Sequence, residues 1–240
     1  MEFKNKNYLV IGGSRGIGSE IVKELYQKGA NVFITARSLS SELENLQGNT
    51  LELDIRNEDL SALHDFLPEN LEGIAYCPGT ITLKPFQSLR LADFQQDLEI
   101  NFLGAVKILQ LVLPKLKKSG QGSVVLFSTV ATRTGMNYHA SIAAAKAALE
   151  GLALSLAAEY ANARVRFNVI SPSLTDTDLA GNLLSSPEKR KMAAERHPLK
   201  RYGQRGDIAR LALFLLSDDS SWITGQIMHI DGGMSSLKPL

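Results

Sequence analysis

Short apolar, β-branched runs alternate along this chain with longer stretches whose apolar residues recur every three or four positions. The runs are Tyr8–Ile11, Asn31–Thr35, Leu51–Asp54, Gly73–Cys77, Ser123–Ser128, Val165–Ile170 and Gln226–Ile230. Their length and their glycine or polar flanks predict strands. Helical periodicity covers Ile17 to about Lys28, closed by Gly29, then Leu60–Leu67, Leu91–Lys118, Ser141–Ala161 and Asp207–Leu216. Strand alternating with helix predicts the α/β class, with a doubly wound, mostly parallel sheet of about seven strands. Parallel neighbours need crossover helices, and right-handed crossovers place helices on both faces. The least regular stretch runs from Pro172 to His197. It follows the sixth strand, beyond the carboxyl end where such sheets take ligands, so about 172–200 is expected to form a substrate lid.

Composition narrows the classes. A length of 240 residues suits one domain with one large core. Hydrophobic residues at 44% and charged residues at 21% exclude a disordered or collagen-like chain. A net charge of +1 gives no basic surplus, so no nucleic-acid partner is expected. Cys77 is the single cysteine, which excludes an intramolecular disulfide and a cysteine-based zinc site. It follows a strand, where a buried structural thiol is commoner than a reactive one. His64, His197 and His229 lack ligand spacing, so no metal is expected. The N-terminus lacks an apolar signal region and no apolar run reaches ~18 residues, so no membrane span is expected and the cytoplasm fits. Lys189-Arg190-Lys191 reads as a solvated helix face, or as a surface greeting an acidic carrier or coenzyme phosphate.

The chemistry concentrates in Ile11-Gly12-Gly13-Ser14-Arg15-Gly16-Ile17-Gly18, directly between the first strand and the first helix. In that context glycines predict a dinucleotide site: helix N-terminal amides face a pyrophosphate, and a missing Cβ lets it approach. An acid at the end of the second strand would bind both ribose hydroxyls and repel a 2′-phosphate. The residues there are Thr35-Ala36-Arg37-Ser38, without a carboxylate. Arg37, and Arg15 from the glycine turn, can pair a phosphate instead, so NADP(H) is the expected cofactor.

These residues, with Asp54, Asn101 in Asn101-Phe102-Leu103-Gly104, Lys146, Asn168, Pro172 and Asp231-Gly232-Gly233, give the chain a resemblance to the short-chain dehydrogenase/reductase family over about residues 7–234. It resembles in particular the family's 3-oxoacyl-acyl-carrier-protein reductase-like members. The resemblance implies a single Rossmann-type domain over 1–240. It implies a glycine turn, Gly12, Ser14, Arg15, Gly16, Ile17 and Gly18, on the pyrophosphate. Asp54 and Ile55 would lie near the adenine, Cys77 and Gly79 along the cofactor, and Thr177 by the nicotinamide amide. Lys146 would bind the nicotinamide ribose, and Asn101 and Thr129 would support the reacting group. A carbonyl or enoyl substrate, a small molecule or thioester, follows, as does self-association through the Ser141–Ala161 helix, as a tetramer or dimer.

The chain departs from that family at the proton donor. Four residues before Lys146, where the family carries Tyr, stands Ile142, which has no proton to give. Thr129, beside Ser128, keeps a hydroxyl at the usual Ser position. Tyr76-Cys77-Pro78-Gly79 replaces Asn-Asn-Ala-Gly, and Pro172-Ser173 a usual Pro-Gly. Loss of a general acid forfeits ~10²–10⁴ in rate. Three readings stay open. Tyr138 or His139 donates, one helical turn back if the helix reaches them; the enoyl-acyl-carrier-protein reductases place their Tyr seven residues before Lys, at the position of His139. Alternatively the protein binds NADP(H) without turnover, as a redox sensor or inactive partner. In the third, the chemistry needs no strong acid.

Overall fold

The computed structural model describes residues 1–38 and 49–237. Its strands are β1 Asn7–Ile11, β2 Asn31–Ala36, β3 Asn49–Glu52, β4 Gly73–Tyr76, β5 Ser123–Phe127, β6 Arg166–Pro172 and β7 Ile227–Ile230. They form one parallel sheet in the order β3-β2-β1-β4-β5-β6-β7. The chain therefore starts mid-sheet, builds to one edge, then returns across β1 to lay down β4. The doubly wound parallel sheet that the pattern predicts is the one observed.

The helices are α1 Gly16–Gln27, α2 Ser61–Phe66, α3 Leu91–Leu98, α4 Gly104–Lys118, α5 Ala140–Tyr160, α6 Pro187–Glu195 and α7 Arg205–Leu216. Strand side chains alternate between two cores, one on each face of the sheet. Leu9 and Ile11 of β1 pack with Ile108 and Val112 of α4 and Leu149 of α5. Tyr8 and Val10 pack on the other face with Ile21 and Leu25 of α1 and Leu213 of α7.

Three expectations need correction. The third strand ends at Glu52, two residues before Asp54. Leu53 N–H still donates to the Ala36 carbonyl, but Asp54 turns away to pair with Arg56. The stretch Leu91–Lys118 is not one α-helix: a π-helical turn, Glu99–Leu103, separates α3 from α4. A π turn frees carbonyls from the i→i−4 ladder, and two side chains claim them. Tyr76 Oη donates to the Ile100 carbonyl at 2.7 Å, and Asn101 Nδ2 to the Asp97 carbonyl at 2.8 Å. Finally, the irregular stretch after β6 contains a helix, α6, which Ser186 caps by accepting from Lys189 N–H, with Pro187 in its first turn. Lys189 and Arg190 are also more than a solvated face. Lys189 Nζ donates to the Asn182 carbonyl and Arg190 Nε to the Leu184 carbonyl, which ties α6 to the preceding 3-10 turn.

The segment Ala140–Ala163 is apolar enough by length and composition to cross a membrane, with mean hydropathy 1.4 over its most apolar 18 residues. It lies against the sheet, with Ile142, Ala145, Lys146, Leu149, Ala153 and Ala157 of α5 buried.

Candidate active site

Because the winding reverses between β1 and β4, their carboxyl ends open a crevice on the topological switch point. The glycine turn occupies its β1 side. Gly12 and Gly13 N–H both donate to the Thr35 carbonyl at 2.8 and 3.1 Å, which folds the turn back over β2. Gly16 sits at φ +62°, a conformation that costs a residue with Cβ. A Cβ at Gly18 would stand 2.3 Å from the Gly12 carbonyl oxygen, so only glycine lets α1 begin this close to the turn. No side chain caps α1, where Arg15 is the N-cap, and its first turn has no acid. Its leading amides and positive dipole end are therefore free to meet an anion. Thr177 overlies the turn: its Cβ and Cγ2 come within 3.7 Å of a Cβ placed on Gly16. The buried Thr35 Oγ1 has no partner among the described residues. An uncapped helix end, a cradle kept open by missing Cβ atoms and an unpaired hydroxyl together fit a dinucleotide. Ser14 and Ile17 flank the same turn.

Arg15 and Arg37 are exposed, and neither makes an ion pair among the described residues. Asp54 is otherwise engaged. Arg56 holds it in a fork, Nε to Oδ1 at 3.0 Å and Nη2 to Oδ2 at 2.5 Å, which brings its carboxyl down to about 2. Ile55 turns its side chain into the core, so only its backbone faces outward chemistry.

On the β4 side, Cys77, Pro78 and Gly79 line a cavity of about 690 Å³ that also borders Thr129, Ile142, Lys146 and Thr177. Cys77 N–H donates to the Ile11 carbonyl, and burial pushes its thiol up to about 12, out of reach of thiolate chemistry. Lys146, on α5, is buried and donates to the Phe127 carbonyl at 2.7 Å. Burial lowers its ammonium to about 8, against the attraction of Asp97. Gly79 brings Lys146 and Asn101 to one place: a Cβ there would lie 3.3 Å from Asn101 Oδ1 and 3.8 Å from Lys146 Nζ. Thr129 caps a short 3-10 turn by accepting from Ala131 N–H, and its half-buried hydroxyl borders the cavity. Ser128 instead donates to Glu150 at 2.5 Å.

Ile142 is 4% exposed and lies in the cavity wall. The two donors read from spacing are placed differently from the helical-turn argument. The helix α5 starts at Ala140, with His139 as its N-cap, so Tyr138 lies outside it. Tyr138 adopts φ +71° and is 57% exposed, at the cavity rim. His139 Nδ1 is 2.7 Å from the Asn137 carbonyl, which leaves Nε2 available. Asn101, in the π turn, has both amide hydrogens committed, to Thr80 Oγ1 and the Asp97 carbonyl, and accepts from Thr80 N–H at 3.3 Å. It serves as a fixed post rather than a free donor.

Sequence reading missed two polar groups. Asp97 is fully buried: Oδ1 accepts from Thr80 and Thr82 hydroxyls at 2.6 and 3.2 Å, and Oδ2 has no partner among the described residues. Its signal was an acid on the apolar side of a helix. Ser173 and His197 meet at 2.8 Å in the cavity wall. Twenty-four positions apart, they carry no local signal.

The family model described as enoyl-(acyl carrier protein) reductase matches residues 11–235. A tropinone reductase homologue of Arabidopsis thaliana is 34% identical over 95% of this chain and 92% of its own. The 3-oxoacyl-acyl-carrier-protein reductase of Aquifex aeolicus is 30% identical over 98% of this chain and 99% of its own. A short-chain dehydrogenase/reductase structure from Mycobacterium ulcerans superposes with a TM-score of 0.91 at 30% identity, covering 98% of this chain and 91% of that one. With relatives matched nearly end to end and the same winding around the same crevice, this chain belongs to the short-chain dehydrogenase/reductase family of oxidoreductases.

Proposed function

We propose that the protein is an NADP(H)-dependent reductase of a carbonyl or enoyl substrate that takes its proton from an atypical donor. One observation carries this: the buried Lys146 stands in a largely apolar cavity that opens beside an uncapped, acid-free glycine turn. The amides of Gly16, Ile17 and Gly18 would hold the pyrophosphate, and Arg15 and Arg37 the 2′-phosphate. Thr177 would cover the nicotinamide end. Bound NADPH supplies the hydride. Lys146, anchored on the Phe127 carbonyl, presents its remaining hydrogens to a ribose, and Thr129 its hydroxyl to the substrate oxygen. Thioester substrates are favoured by the acyl-carrier-protein names of the matching family and relative.

The test is NADPH oxidation across ketones and enoyl thioesters, beside calorimetric NADPH titration. Turnover of one class is expected. Tight NADPH binding without any turnover supports the second reading, a cofactor-binding non-enzyme, which the apolar Ile142 favours. In the same assay Ile142→Tyr should raise ketone reduction by ~10²-fold or more, since it restores a phenol beside Lys146. Its bulk costs ~1–3 kcal/mol of stability. No gain in a variant that still binds NADPH would show that Lys146 and Thr129 are not arranged around this position.

A further inference from the structure

Ile142 leaves the cavity without its usual acid, and on its wall the half-buried Ser173 hydroxyl meets the buried imidazole of His197. His197 is 2% exposed. Its Nδ1 lies 2.8 Å from the Ala193 carbonyl, which only accepts, so Nδ1 carries a hydrogen. That fixes the ring and its tautomer, and leaves Nε2 facing Ser173 Oγ at 2.8 Å. Both residues border the large cavity that holds Ile142, Thr129 and Lys146. They also border a second cavity of about 200 Å³, whose lining includes Arg201, Asp207, Arg210 and Asp231. The pair thus borders both the substrate space and the second cavity.

We propose that Ser173 and His197 deliver the proton in place of the absent phenol, with Ser173 as the donor to substrate and His197 as the relay that recharges it from the second cavity. This rests on the reductase reading above. With His197 protonated, Nε2–H donates to Ser173 Oγ and frees the serine O–H to point into the large cavity. With the hydride that bound NADPH would supply to the carbonyl carbon, the substrate oxygen would take the Ser173 proton. The Nε2 proton passes to Ser173 Oγ. The products are an alcohol, the oxidised cofactor, an intact serine and a neutral imidazole whose Nδ1–H stays on Ala193. Water from the second cavity returns the proton to Nε2.

The charges around His197 do not block this cycle. Arg201 and Arg210 both pair with Asp207, at 2.5 and 3.1 Å. Asp231 accepts from Ser235 and Gly233 N–H. In the large cavity the charged neighbours are Lys146 and Arg196. Among the described residues no carboxylate bonds the ring, so its proton is transferable rather than locked in an ion pair. Tyr138, by contrast, is exposed at the rim.

The relay is tested with wild type, Ser173→Ala, His197→Asn and His197→Gln, beside His139→Ala and Tyr138→Phe as controls. Asn keeps a donor near Nδ1 for Ala193. Gln keeps an amide near Nε2 as an acceptor for Ser173 but cannot pass a proton. Each is assayed for kcat, KM, solvent deuterium effect and pH profile, and for NADPH affinity by calorimetry. All three variants are expected to lose about 10²-fold in kcat with NADPH affinity unchanged. The solvent isotope effect should grow, and the pH dependence of kcat in the three variants should differ from that of the wild type. If Ser173→Ala does not fold, His197→Gln decides. Full activity in His197→Gln means the bond is only structural and overturns the relay. Loss that follows His139→Ala or Tyr138→Phe and spares Ser173→Ala overturns it as well. A wild type that binds NADPH but oxidises it in the presence of none of the substrates overturns the reductase reading, and the relay with it.

Discussion

Burying Lys146 against the Phe127 carbonyl strips water from its ammonium and weakens its hold on a proton. The unfolded chain keeps that proton up to about 10.5, the folded one only to about 8. Between those values the unfolded state binds more protons, so this residue makes stability rise with pH. Below about pH 8 the cost of the buried cation is present in full, ~3 kcal/mol. Lys146→Met should therefore remove the rise: the stability difference between wild type and variant, from urea unfolding, should change across pH 8 to 10.5. A difference that stays flat through that window would mean the lysine is not depressed. Arg37 offers a second test at this scale. No acid accompanies it at the end of β2, so NADPH should bind at least about tenfold tighter than NADH, ~1.4 kcal/mol. Arg37→Ala should narrow the gap by weakening NADPH alone. Equal affinities in the wild type, by calorimetry, would remove the 2′-phosphate assignment.

The π turn between α3 and α4 shows how one element positions a site. It turns Asn101 inward, beneath Gly79 and near Lys146, and it is held by the Tyr76 hydroxyl on the Ile100 carbonyl. Gly104, directly after the turn, has no room for a side chain: a Cβ would stand 2.5 Å from Tyr76 Oη and 2.8 Å from Ile55 Cδ1. Gly104→Ala should destabilise by ~1–3 kcal/mol. Tyr76→Phe removes the nearer clash, so its cost should be smaller in a chain that already carries Gly104→Ala than in the wild type. A double-mutant cycle measured by thermal unfolding checks this; simple additivity would mean the phenol does not hold the turn. Nothing in Leu91–Lys118 announced the break, because the apolar period runs on through it and the group that holds it, Tyr76, lies on β4. The strands themselves were legible, since β-branched runs are buried from local composition alone. For β3 the alternation Leu51-Glu52-Leu53-Asp54 continues past the ladder, and Arg56 ends the strand by a contact that spacing does not encode. The glycine turn was legible because its chemistry is local. Ser173 and His197 were not, because only the fold brings them together.

Across the whole molecule, α5 is the element whose apolar surface the single chain does not cover. Within its most apolar 18 residues only 39% are buried. Ala144, Ala147, Gly151, Leu154 and Ala158 form an exposed stripe along it, bordered by exposed Ser155 and Glu159; the stripe is small except for Leu154, which is 59% exposed. Trp222 projects nearby and is 99% exposed, on the loop whose Gly225 would place a Cβ 3.5 Å from Leu154 Cδ1. A stripe of small residues with one large apolar anchor lets a second helix approach closely, and exposed aromatic rings are enriched where partners dock. We propose that this face joins copies of the chain, as a tetramer or, failing that, a dimer. Light scattering at micromolar concentration should give a multiple of 26.2 kDa. Leu154→Arg places a charge in the middle of the stripe and should shift the mass toward the monomer. Trp222 fluorescence should move to longer wavelength as the ring loses its cover. A wild type that scatters as a monomer, with Trp222 emission already that of a solvated indole, would show that α5 works uncovered.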